Sequence, residues 1–60
     1  MLVRKTVVRL EKPHHGTHDI VLNYDDATVQ VIAEAAIQLI QRHYMNDGDT
    51  LTIITAEIEE

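Results

Sequence analysis

The stretch from Thr28 to Tyr44, TVQVIAEAAIQLIQRHY, constrains this chain most, because it places a long amphipathic helix in only 60 residues. Apolar side chains recur there at spacings of three and four, the period of a helix with one side turned inward. A helix of that length must cover its apolar side with something. Two β-rich runs precede it and one follows, so the partner is a small sheet. The expected fold is α+β, with element order β-β-α-β and one domain spanning residues 1–60.

Within the helix, Val29, Ile32, Ala33, Ala36, Ile37, Ile40 and Tyr44 form one face, which is assigned to the core. Gln30, Glu34, Gln38 and Gln41 form the opposite, wet stripe. Val31, Ala35 and Leu39 add a flanking row, so the apolar arc is broader than a thin sheet requires. The helix is expected to begin after Asn23 or Asp25, with Asp25 or Asp26 capping exposed amides. Asn46-Asp47-Gly48 supplies the stop, and Arg42 and His43 suit the negative end of the helix dipole.

Residues 2–10, LVRKTVVRL, read as a strand, and 18–23, HDIVLN, as a second. EKPHHGT, residues 11–17, connects them, with Pro13 and Gly16 as breakers. Thr50 to Ile58, TLTIITAEI, is the third strand. Charge selects the strand order. Placing the last strand beside the first brings Arg4 and Lys5 near Glu57 and Glu59, and opposite charges across strands contribute about 0.2–1 kcal/mol each. The expected sheet is therefore antiparallel, ordered 2-1-3, with the helix on one face. Leu51, Ile53, Val7 and Val3 are assigned to the other face.

So small a chain buries only about 60% of the surface its unfolded form exposes. It contains no cysteine, so no disulfide or thiolate-bound metal can supplement that core. Self-association is the remaining common source of stability. A homodimer is expected, through Val31, Ala35 and Leu39 on the helix flank and Leu51 and Ile53 on the second sheet face. No run is long and apolar enough to span a bilayer. The N-terminal residues lack the pattern of a secretory signal, so a cytoplasmic protein without membrane contact is expected.

Net charge is −5, but Arg4, Lys5, Arg9 and Lys12 place four of the five basic residues in the first twelve positions. That strip is the basis for a second reading, a DNA- or RNA-binding regulator using the first strand. Against it, the strip divides between two faces, and neither Tyr24 nor Tyr44 lies on a strand to stack bases. A third reading is a metal-binding protein using the segment from His14 to His18, with His14, His15, His18 and Asp19 as candidate ligands. Pro13 and Gly16 oppose the helical turn that would align His14 with His18. Catalysis is not expected. Serine and cysteine are both absent, and His43 with Asp47 or Asp49 is the only acid–base pair suggested by position. No cofactor is implied. The leading expectation is a small non-enzymatic interaction or regulatory module, homodimeric and acting on another protein.

Overall fold

The computed structural model describes residues 1–60. β1 runs Leu2–Lys12, β2 Gly16–Asn23, α1 Val29–His43 and β3 Thr50–Glu59, with a 3-10 turn at Tyr24–Asp26. The three strands form one antiparallel sheet in the order β2-β1-β3. The helix packs over β1 and β2. The α+β architecture and the 2-1-3 order thus follow the charge argument. Arg4 lies opposite Glu57, Lys5 reaches Glu60 at 3.0 Å, and the N-terminal ammonium reaches Glu59 at 2.7 Å.

The first hairpin is tighter than the breakers suggest. β1 continues to Lys12, which pairs with Gly16 across a three-residue turn, Pro13–His15. The His15 amide donates to the Lys12 carbonyl at 2.9 Å, and Gly16 takes φ +90°. This is the conformation for which three-residue hairpin turns favour glycine. The helix starts later than expected. Tyr24–Asp26 closes its own short turn, and Thr28 caps the helix by accepting the Val31 amide on Oγ1 at 3.2 Å. Asp25 and Asp26 are therefore not the cap.

The core consists of Val8, Leu10, Ala35 and Leu39, with Ile20, Leu22, Ile32, Ala36 and Leu51 packed around it. Only seven of the 60 residues are buried. The molecule is a slab of 37 × 23 × 14 Å with a radius of gyration of 12.0 Å, against about 10 Å for a compact chain of this length. Its surface of 4346 Å² likewise exceeds the roughly 4,000 Å² usual for its mass.

Two assignments of faces are corrected. The row Val31, Ala35, Leu39 is not a free flank: Ala35 and Leu39 are buried against the sheet, and Val31 is half-buried. Small Ala35 and Ala36 let the helix approach closely. The β3 register pairs Val8 with Ile53 and Leu10 with Leu51. Directly opposed residues share a side of the sheet, so Leu51 and Ile53 lie on the helix side. The open side carries Val3, Val7, Val21, Ile54, Ala56 and Ile58 instead.

Candidate functional site

Because the inner side of α1 is the Ala35–Leu39 row with Ile32 and Ala36 beside it, Val29, Ala33, Ile37, Ile40 and Tyr44 of the face assigned to the core point outward. Val29 is 87% exposed, Ile37 53% and Tyr44 72%, and Ala33, Ile40 and Met45 are exposed beside them. Val29, Ala33, Ile37 and Ile40 form a stripe along the helix, bordered by Gln30, Glu34 and Gln41, and Tyr44 and Met45 follow just beyond its end. Ile53, more than half exposed, adds an apolar position on the helix side of β3. The open sheet face contrasts with this. Val7 is 4% exposed although no helix covers it. It is enclosed by Val21 and Ile54 opposite and by the long side chains of Lys5 and Arg9 along its own strand. Of the large apolar side chains on that face only Val21 is exposed, against Val29, Ile37, Ile40 and Tyr44 on the helix. Apart from Met45, the stripe's residues belong to the apolar face that the helical period picks out, and only their direction differs.

The C-terminal end of the helix is tied down by a polar cluster. Lys12 ends β1 on the helix side with its side chain 5% exposed, and its ammonium contacts Asp49 at 2.5 Å. It also donates to the Tyr44 carbonyl at 2.7 Å. Asp49 accepts the Asn46 amide at 2.8 Å as well. The Lys12 hydrogen bond, and then the Asn46 amide, hold its carboxyl below the ordinary carboxylate range. Tyr44, the residue after the helix, adopts φ 56° and ψ 150°, a region that few side chains other than glycine accept. Its amide still reaches the Ile40 carbonyl at 2.8 Å. Lys12 on one side and the helix on the other hold that backbone in place.

His18 of β2 and His43 of α1 stack with centroids 3.6 Å apart and planes 8° from parallel. Burial lowers the His43 pKa, and the neighbouring charges of His18, Arg42 and Lys12 lower it further. His43 is thus turned to His18 and Asp49 to Lys12, so His43 does not form the acid–base pair suggested by sequence position.

The candidate metal ligands diverge. His14 and His15 are exposed in the turn, while His18 faces the helix. Asp19, on the opposite side of β2, receives Arg9 at 3.0 Å. No three metal-binding side chains converge. The basic strip is also dispersed. Arg9 pairs with Asp19, Lys5 with Glu60 and Asn23, and Lys12 with Asp49. Arg4 lies 5.4 Å from the Tyr24 ring centre, beside an open hollow of about 600 Å³ formed with Val3, Asn23, Asp25 and Asp26. Both signs of charge line this hollow. No helix is long and apolar enough to cross a membrane.

Comparison with protein-family models, with curated proteins and with solved structures found no match.

Proposed function

We propose that this chain is a small protein-interaction module that works as a homodimer, with a non-enzymatic, regulatory role exercised by binding another protein. The observation that carries the reading is the exposed stripe Val29, Ala33, Ile37, Ile40, Tyr44 and Met45 on a chain with so small a core. Soluble monomers rarely leave contiguous apolar patches beyond a few hundred Å². Covering this one removes apolar surface from water at about 25 cal/mol per Å², before the cost of association. The charged residues around it set which surfaces can approach. The nucleic-acid alternative gains no support from Lys5, Arg9 and Lys12, whose charges are already answered within the chain.

Light-scattering mass after size exclusion, across a concentration series, tests the homodimer. The expected mass is twice 6.8 kDa. Ile37→Glu should shift it to the monomer value while leaving the circular dichroism unchanged. A wild-type mass of one chain at every concentration would defeat the homodimer reading.

A further inference from the structure

Resting on that interaction reading, we propose that the occupant of the helix stripe is the same stripe of a second copy, packed antiparallel about a two-fold axis near Gln38. Ala33, Ile37 and Ile40 within the helix, and Tyr44 at its C-cap, follow one another at intervals of four, three and four residues. This is the spacing that keeps one seam of a helix against another helix. Antiparallel pairing places Ile37 opposite Ile40 of the second copy and Ala33 opposite its Tyr44. Each layer then joins residues of matched or complementary size, and Tyr44 has the space beside Ala33 to lie in. Parallel pairing would oppose tyrosine with tyrosine and alanine with alanine, wedging one end apart and leaving the other loose.

Electrostatics favours the same arrangement. The chain carries a net charge of −5, so two copies repel wherever acidic surfaces meet. The border of the stripe is largely neutral: Gln30 and Gln41 flank it, and antiparallel pairing sets Glu34 near Gln41 of the second copy. Antiparallel helices also place each positive dipole end beside a negative one. Full burial of the stripe on two copies approaches roughly 1,000 Å², the lower bound for a specific interface. The open sheet face is the weaker competitor, because Lys5, Arg9 and Asp19 cover much of it with charge.

The absence of native cysteine makes the geometry testable by disulfide trapping. Ala33→Cys and Tyr44→Cys chains are prepared separately, then mixed, equilibrated and oxidised, and the covalent products are identified by intact mass. In the antiparallel seam, position 33 faces position 44 of the second copy. Two copies of position 33 lie about 16 Å apart along the helices, well beyond the roughly 7 Å limit for a disulfide. The mixture should therefore yield at least ten-fold more cross-linked heterodimer than either chain yields homodimer alone. Ready self-linking of Ala33→Cys would show parallel pairing and overturn the proposal. A dimeric mass without heterodimer cross-links would overturn the seam while leaving the homodimer intact. A monomeric mass for the unmodified chain at all concentrations would overturn both, and would leave the stripe to a different protein.

Discussion

At the residue scale, Lys12, Asp49 and Tyr44 make one device. A buried ammonium needs both charge compensation and hydrogen bonds. Asp49 supplies the first and shares the second with the Tyr44 carbonyl, which fixes the chain where it leaves the helix in an unfavourable conformation. Comparing two variants isolates that strain. Tyr44→Ala and Tyr44→Gly remove the same aromatic contacts, but only glycine accepts positive φ freely. The glycine variant should be the more stable, by about 1 kcal/mol, in urea unfolding at concentrations where the chain is monomeric. Asp49 adds a pH dependence. Its pKa is depressed in the folded state, so the unfolded chain takes up the proton first as pH falls. The stability it contributes is present above its ordinary value of about 3.9 and is lost as pH falls through the lower folded value. Thermal melts of Asp49→Asn between about pH 5 and pH 2 should show a flatter acid limb than wild type, with a lower midpoint at neutral pH because Lys12 loses its counter-charge. None of this cluster is legible in the sequence. Lys12 reads as one of a run of cations, and its partner lies 37 residues away.

At the scale of elements, the strands and the helix are legible because their periods differ, and their contacts are legible only where charge breaks a tie. The helix shows the difference. Its apolar arc includes both the Ala35–Leu39 row and the Ile37–Ile40 row, and periodicity cannot say which is inward. Weight of side chain favours Ile37, Ile40 and Tyr44, whereas the side laid on the sheet is Ala35 and Leu39 with Ile32 and Ala36 beside them. β3 has the same ambiguity, since both of its alternating sets begin apolar, and only pairing with β1 puts Leu51 and Ile53 on the helix side. The His18–His43 stack fastens α1 to β2, and its response to acid follows from its surroundings. His43 faces His18 from β2, Lys12 from β1 and Arg42 from its own helix, all opposing a further positive charge. With its folded pKa below the ordinary value of about 6.5, its favourable contribution is complete above that value and is lost as pH falls through the folded one. The melting midpoint should decline from about pH 7 to pH 5, and His43→Phe, which keeps a flat ring against His18, should reduce that slope. An unchanged slope would show that the stack does not couple protonation to folding.

At the scale of the whole molecule, strand order is legible from Arg4 and Lys5 near the N-terminus and Glu57 and Glu59 near the C-terminus, because antiparallel neighbours bring those ends together. Length and the absence of cysteine are the sequence grounds for proposing a partner. Which surface such a partner would cover depends on the rotation of one helix. A sheet with a single helix laid over two of its three strands buries few residues, so the fold and the association should be thermodynamically linked. Any species that binds only the folded chain raises its apparent stability by mass action, and in the proposed homodimer that species is a second copy of the chain. The melting midpoint of wild type should therefore climb with protein concentration, by a few degrees per ten-fold increase for a domain of this size. Ile37→Glu removes the proposed contact without touching the core and should make the midpoint independent of concentration. Its value should match wild type at high dilution, where wild type has dissociated. If the variant instead melted far below dilute wild type, Ile37 would be contributing to the fold of the single chain, and the stripe would not be the free surface on which self-association rests.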